Sequence, residues 1–290
     1  MERTTWIARR WSLVTTTMLA ALLAAGAVGG CVTAIGGVQA RDTVSLSLDV
    51  AQATPVRVET FNGGIEVRPG AASEVAAEVV RTGRGVDQAA AEADRDAIEV
   101  ELLEVDGVAL LRAVYTPDPT SVPTGSGAAV SLLVPPDARL ELLTSNGPIT
   151  VQGLGAGLEA QTSNGPIELA GVAGSVAAAT SNGPITVTTA APVSVDLGTS
   201  NGGITFEGEL LPGAAVLETS NGPVELRLPF DAAFTIDAQT SASQVTSEFE
   251  LDGTIDERSI TGTVGAPAEA TAVSIQVRTS NGPVRLVEGG

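Results

Sequence analysis

Few residues in this chain have the types and spacing that catalysis requires. The 290 residues include no histidine, and all 15 basic residues are arginines. An imidazole or a lysine amine is therefore unavailable as a general base or nucleophile, and a Ser-His-Asp triad is excluded. The calcium-loop patterns Asp-x-Asp-x-Asp-Gly and Gly-Gly-x-Gly-x-Asp are also absent from the sequence. The composition favours a protein that is not an enzyme and that uses no cofactor and no metal ion.

Two acidic groups are the remaining candidates for chemistry. Three carboxylates lie five residues before a repeated asparagine, in a column that apolar residues interrupt. The column runs Glu141, Glu159, Ala177, Asp196 and Val216. Its interruption favours a solvated face over a site. Glu207, Glu225 and Arg227 are expected close together, as acids are in polysaccharide-cleaving β-solenoids. Their spacing specifies no reaction, so a carbohydrate-active enzyme is the least favoured alternative.

The only cysteine, Cys31, is the candidate for covalent modification. Arginines in the first ten residues and the apolar run Met18–Val28, too short to span a bilayer, predict a signal peptide over residues 1–30. Val28-Gly29-Gly30-Cys31 resembles a bacterial lipobox, which implies a lipidated Cys31 followed by a tether over residues 31–42. A secretory signal cleaved elsewhere is the alternative, and the choice between Sec and twin-arginine export is open.

A six-residue motif, Thr-Ser-Asn-Gly-Pro-Ile, organises the rest of the chain. From Asn146 to Asn164 and Asn182 the step is 18 residues, and it lengthens to 20 by Asn221. The repeated corner residues are Asn62, Asn146, Gly147, Asn164, Gly165, Asn182, Gly183, Asn201, Gly202, Asn221, Gly222, Asn281 and Gly282. A fixed period of about 20 residues indicates one supersecondary unit stacked on copies of itself.

Apolar residues alternate on both sides of each motif. In one copy Leu158 and Ala160 precede Thr162 and Asn164, and Ile167 and Leu169 follow. The pattern predicts an all-β fold, a parallel β-solenoid of about 18–20-residue coils spaced ~4.8 Å apart. The same alternation predicts that the threonine and asparagine side chains point inward, with the asparagines stacked in a ladder. The alternative is that the threonine, serine and asparagine columns form a polar binding stripe.

The segment before the regular repeats has a different pattern. Residues 43–137 are expected to form a β-rich cap, and residues 138–290 the solenoid. One short helix is predicted over residues 86–97, with Val86, Ala90, Ala93 and Ala97 on its apolar face. Asp106-Gly107 predicts a hairpin. After Asn221 the period breaks, and the path of residues 227–270 is not predicted.

The pattern as a whole resembles the bacterial putative-adhesin family of β-strand-repeat proteins, a domain of unknown function. Val130–Leu140 leading into Thr144–Ile149 carries the resemblance, together with the later coils and the closing Val277–Val284. The resemblance implies the fold and an adhesive role, and it supplies no catalytic residues.

A cell-envelope lipoprotein follows as the predicted function. It would be exported, held to the outer membrane or cell surface through lipid on Cys31, and act as a non-catalytic scaffold or adhesin-like binding module. A formal charge of −19 disfavours nucleic acid as a partner and leaves a glycan or an envelope protein. The alternative is a solenoid that polymerises through its ends, and the oligomeric state is open.

Overall fold

A computed structural model describes residues 37–116, 125–265 and 272–289. The predicted signal peptide and Cys31 lie outside the described residues. The described strands are β1 Val38–Asp49, β2 Val56–Asn62, β3 Ile65–Pro69, β4 Glu74–Gly85, β5 Ile98–Val105, β6 Val108–Tyr115, β7 Gly127–Val134, β8 Leu140–Asn146, β9 Ile149–Gln152, β10 Leu158–Asn164, β11 Ile167–Asn182, β12 Ile185–Asn201, β13 Ile204–Glu207, β14 Gly213–Asn221, β15 Val224–Pro229, β16 Phe234–Thr240, β17 Val245–Ser247, β18 Asp252–Asp256, β19 Ser259–Val264, β20 Val273–Thr279 and β21 Val284–Gly289. Helix α1 covers Gln88–Asp96. The all-β fold with one short helix is confirmed.

Each coil consists of a strand that ends at the motif asparagine, a tight corner, and a second strand. The strands before the corner pair with one another in parallel, and so do the strands after it. Thr144, Thr162 and Thr180 therefore lie in register on one face, while residues such as Ile149 and Ile167 are in register on the other. We call these the first and second faces. Leucine, valine and isoleucine side chains from both faces fill one continuous core.

The stacking order of the coils differs from their order in the chain. On the first face the parallel order is β6, β2, β8, β10, β11, β12, β14, β20 and β16. The closing coil, β20–β21, therefore lies between the coil β14–β15 and the coil β16–β17. At the other end the coil β2–β3 lies between β6–β7 and β8–β9. At each end of the solenoid, therefore, the coil nearest the chain terminus is not the outermost one. β6–β7 lies outside β2–β3, and β16–β17 lies outside β20–β21.

Antiparallel strands close both ends of the stack. At one end β5 pairs with β6, and β4 pairs with β7 and carries β1 on its other side. At the other end the hairpin β18–β19 pairs with β16. The coil β16–β17 and this hairpin both lie in the segment 227–270, whose path the sequence did not predict. The Asp106-Gly107 hairpin is confirmed, with both residues at positive φ between β5 and β6.

Two predicted boundaries in the N-terminal part were wrong. The predicted tether over residues 31–42 overlaps β1, because Ala40 is buried and residues 38–42 pair with β4. The predicted cap over residues 43–137 includes one regular coil, since β2 and β3 continue the register of β8 and β9. The solenoid stack therefore contains residues on both sides of the expected boundary at 138.

The predicted apolar face of the helix was also wrong. Val86 precedes the helix and is 91% exposed, and Ala93 is exposed as well. The buried helical residues are Ala91 and Asp94. Burial of Ala91 follows from close packing, because α1 crosses β4 where Gly83 and Gly85 leave room for the helix backbone. Among the described residues no helix is long and apolar enough to cross a membrane.

Candidate functional site

Each repeated corner is stabilised by a close backbone approach at glycine and by a hydrogen bond from the threonine hydroxyl. A Cβ added at Gly165 would lie 2.2 Å from the carbonyl oxygen of Gly147, and one at Gly183 equally close to that of Gly165. Neighbouring corners therefore touch backbone to backbone. The buried threonine two residues before each asparagine donates its hydroxyl to the same carbonyl groups, as Thr162 does to Gly147 at 3.1 Å. The motif thus builds the stack at these positions.

The asparagine column forms a continuous ladder but does not point inward as predicted. From Asn146 onward each Nδ2 donates to the Oδ1 of the preceding coil in the stack, at 2.7 Å from Asn164 to Asn146 and 2.9 Å from Asn182 to Asn164. The ladder contains Asn62, Asn146, Asn164, Asn182, Asn201, Asn221 and Asn281. Six of these side chains are exposed and that of Asn62 is half-buried. The chain bends at each motif asparagine. The inward–outward alternation that buries the threonine two residues earlier therefore does not extend to the asparagine.

The serines between the two columns point outward and line a groove on the first face. The serine column consists of Ser145, Ser163, Ser181, Ser200, Ser220, Ser280 and Ser241, all exposed. Two residues earlier in each strand a flanking column runs parallel to it: Leu143, Gln161, Ala179, Gly198, Glu218, Arg278 and Gln239. The buried threonines lie between the columns and form the floor. We call this depression the serine groove.

The serine groove is continuous along the stack. It is shallow and open to solvent, with a volume of about 530 Å³ in one half and about 520 Å³ in the other. The halves meet at Ala179 and Thr180, which line both. The flanking column is lowest at this point, because Ala179 and Gly198 have the smallest side chains in it. The middle of the groove is therefore its most open part.

Charged and aromatic side chains close the two ends of the groove. At one end Phe61 takes the place of serine and lies beside Arg112, whose Nε is 3.5 Å from Glu59. At the other end Arg278 of β20 forms an ion pair with Asp237 of the adjacent strand β16, at 2.5 Å. The hydrogen bond from Arg278 holds the pKa of Asp237 below its usual value. Charged side chains therefore lie at both ends, and between them the groove is lined by hydroxyl groups and carries one carboxylate, that of Glu218.

The chemistry of the groove is hydrogen bonding. The serine hydroxyls make no hydrogen bond to any residue that the structure describes, whereas the threonine hydroxyls beside them are all engaged. Parallel strands place equivalent hydroxyls ~4.8 Å apart. A hydroxyl both donates and accepts, so the serine column offers a regular row of neutral contacts. The sequence offered this column only as part of an alternative polar binding stripe, and it did not predict the groove, which depends on small flanking residues in adjacent coils.

The acidic candidates from the sequence do not line the serine groove, and Glu141, Glu207 and Glu225 are paired with arginine, whereas Glu159 accepts a hydrogen bond from Gln161. Arg227 lies 3.0 Å from Glu225 and 3.9 Å from Glu207, so these three residues are together on the second face as expected. On the first face Glu141 accepts from Arg57. Across residues 37–116, 125–265 and 272–289, no group of three or more metal-ligating side chains is placed to hold an ion.

A buried carboxylate in the cap was missed by the sequence analysis. Asp94 of α1 is 8% exposed and accepts hydrogen bonds from the Tyr115 hydroxyl at 2.7 Å, the Ser126 hydroxyl at 2.5 Å and the Arg84 backbone NH at 2.7 Å. The hydrogen bond to Asp94 raises the pKa of Tyr115 to about 12. Only its spacing from the buried Ala91 distinguishes Asp94 in the sequence from Glu92 and Asp96, the other acidic residues of α1. The cluster ties α1 to β6 and to the segment before β7.

Comparison with known families identifies the family to which the chain belongs. The family model described as Toastrack DUF4097 matches residues 137–286, which is just over half of the 290 residues. The chain therefore belongs to the Toastrack DUF4097 family, and the resemblance to a β-strand-repeat domain of unknown function is confirmed. A comparison with curated proteins gives no match.

Solved structures with related folds are remote in sequence. A putative cell adhesion protein from Clostridium sporogenes is 11% identical, with a TM-score of 0.35, and the match covers 86% of this chain and 100% of that one. A putative adhesin from Bacteroides fragilis is 8% identical, with a TM-score of 0.41, over 85% and 97% of the two chains. A putative adhesin from Parabacteroides distasonis is 9% identical, with a TM-score of 0.27, over 85% and 97%.

Proposed function

We propose that this member of the Toastrack DUF4097 family is an adhesin-like binding module of the bacterial cell envelope that carries out no catalysis. The observation that supports the proposal is the serine groove, a continuous channel on the first face. One wall is the column of exposed serine hydroxyls and the other is the mixed flanking column, and its floor is made of threonines that are already hydrogen-bonded. Such a surface can bind a long polar ligand without distorting the coils.

A glycan strand is the ligand class that suits this groove best. Sugar hydroxyls pair with neutral donors and acceptors, and Gln161 and Glu218 add polar groups that extend beyond the serines. The half-buried Phe61 offers an apolar surface at one end. The charge of −19 makes the chain a poor partner for anionic polymers, so a neutral or cationic glycan is expected.

Attachment to the envelope is the second part of the proposal. The lipobox-like Val28-Gly29-Gly30-Cys31 supports lipidation of Cys31, which would place the anchor a few residues before β1. The solenoid would then extend from the membrane with the serine groove on its side. Metabolic labelling with palmitate tests the anchor: wild type should be labelled and Cys31→Ala should not. Equal labelling of the two proteins would refute lipidation at this residue.

Ligand binding is tested by filling the groove at its lowest point. Ala179→Arg places a long side chain where the two halves meet, and Thr186→Arg adds an equally long side chain on the exposed second face of the same coil. On an array of bacterial envelope glycans, wild type and Thr186→Arg are expected to retain the same glycans, and Ala179→Arg to lose them. Equal retention by all three proteins, or no retained glycan, would count against the groove.

A further inference from the structure

One edge of the solenoid is left open at the end nearest the predicted anchor. β1 (Val38–Asp49) pairs with β4 along its whole length, from Val38 opposite Gly85 to Asp49 opposite Glu74. No other described strand pairs with β1. Every second backbone NH and carbonyl of an edge strand points away from its neighbour, so a free edge of this length is a template for another strand.

The exposed side chains of β1 place opposite charges at equal distances on either side of Ser45. The residues exposed on one side run Arg41, Thr43, Ser45, Ser47 and Asp49. In an antiparallel pair of two β1 strands centred on Ser45, paired residue numbers add up to 90. Arg41 then lies opposite Asp49 of the second copy, and Asp49 lies opposite its Arg41. Both are free for this pairing, since neither forms an ion pair with another described residue.

We propose that β1 is a homodimer interface, in which two copies of this chain join antiparallel through their β1 edges. The two-fold pairing gives two cross-strand Arg41–Asp49 ion pairs and sets Val44 opposite Leu46 on the inner side. Cross-strand pairs of opposite charge and of apolar side chains stabilise antiparallel strands. The interface goes beyond the proposed binding function, because β1 lies on the second face and leaves the serine groove open.

Partly exposed apolar side chains at this end of the core also favour pairing with a second copy of the chain. Leu46 and Leu48 of β1 are only half-buried, as are Val100 and Leu102 of β5, although all four pack on the core. A second copy joined at β1 would cover part of this surface. The free edge of β5 is unsuited to pairing with its own copy, because three exposed glutamates, Glu99, Glu101 and Glu104, would approach one another.

A cysteine cross-link tests the register directly. In a Cys31→Ser background, Ser45→Cys places each new thiol opposite itself across the two-fold axis. Opposed residues in antiparallel strands have Cα atoms about 4.5–5.5 Å apart, within the range that a disulfide spans. Ser47→Cys is the matched control, because its thiols would lie four residues out of register, about 13 Å apart. Mild oxidation should give a covalent dimer of Ser45→Cys, and cross-linking of Ser47→Cys at an equal rate would overturn the proposal.

Charge reversal tests the ion pairs by sedimentation of the full mature chain. Arg41→Asp or Asp49→Arg alone should raise the dimer dissociation constant by at least about tenfold, since each sets like charges opposite each other twice. The double variant, Arg41→Asp with Asp49→Arg, should restore wild-type association. Arg139→Asp, an exposed reversal away from β1, should change nothing. A monomeric wild type at all concentrations, or a double variant as weak as the single variants, would overturn the proposal.

Discussion

At the scale of single residues, the glycines of successive corners leave no room for a side chain. Gly165→Ala would place a methyl carbon 2.2 Å from the Gly147 carbonyl oxygen, at a position with φ of +158°. Two coils would have to separate locally, and we expect the free energy of unfolding to fall by about 2–4 kcal/mol. Urea denaturation measures the loss.

Gly198→Ala is the matched control for this glycine. It lies in a strand three residues before a corner, and its added methyl would meet no atom within 4 Å. Its stability should change by no more than about 0.5 kcal/mol. A similar loss in the two variants would mean that the corner backbones do not touch as described.

The asparagine ladder gives a second residue-scale prediction. Asn164→Ala removes two side-chain hydrogen bonds, one to Asn146 and one from Asn182. Asn281→Ala removes only one, since the corner of the next coil carries Ala242 in its place. Because these side chains are exposed, we expect about 1 kcal/mol for Asn164 and about half of that for Asn281. Thermal unfolding of both variants measures the two losses of stability. Equal losses would contradict a ladder in which each hydrogen bond contributes separately.

At the scale of elements, the cap depends on a polar cluster that joins α1 to β6. The hydrogen bond that Tyr115 donates to Asp94 raises the pKa of this phenol from 10.0 to about 12. A folded-state pKa above the unfolded value means that the stabilisation is full below pH 10. It declines as pH rises from about 10 to about 12 and the phenolate forms.

Tyr115→Phe therefore has a predictable pH dependence. Near pH 8 the variant should lose about 1–3 kcal/mol, because a buried acceptor on Asp94 loses one of its donors. The difference from wild type should shrink above pH 10 and be smallest near pH 12. Denaturant titrations across this range measure it. Val114→Ala, at the adjacent half-buried position, should show a difference that does not change with pH.

At the scale of the whole molecule, the sequence period predicts the coils but not their order. Leucines and isoleucines recur at fixed distances from each asparagine, and this alternation predicts strands, corners and a common core. Thr279, however, is in register with both Thr219 and Thr240. Identical motifs fit one another in any order, so sequence alone cannot say which coils are neighbours. The groove and the Asp94 cluster were missed for a related reason, since each depends on residues from several coils or elements.

The insertion of the closing coil leads to a final prediction about cooperativity. β20 pairs with β14 on one side and β16 on the other, and β21 pairs with β15 and β17. A chain that ends at Gly265 would lose both sets of contacts, so β16 to β19 should lose their docking as well. Hydrogen exchange should then show loss of protection from residue 230 onward, with residues 140–200 unchanged.

Two other variants separate this prediction from general destabilisation. Gly282→Ala keeps the full length but adds a Cβ 1.7 Å from the Gly222 carbonyl oxygen, so it should raise exchange in β14 to β17 in the same way. Val287→Ala, near the end of β21 where the side chain is half-buried, should leave that region protected. Full protection of β16 in the truncated chain would mean that β16 stacks directly on β14. In that case the closing coil would be an optional insert, and the stability of this end would come from the outer coil and its hairpin.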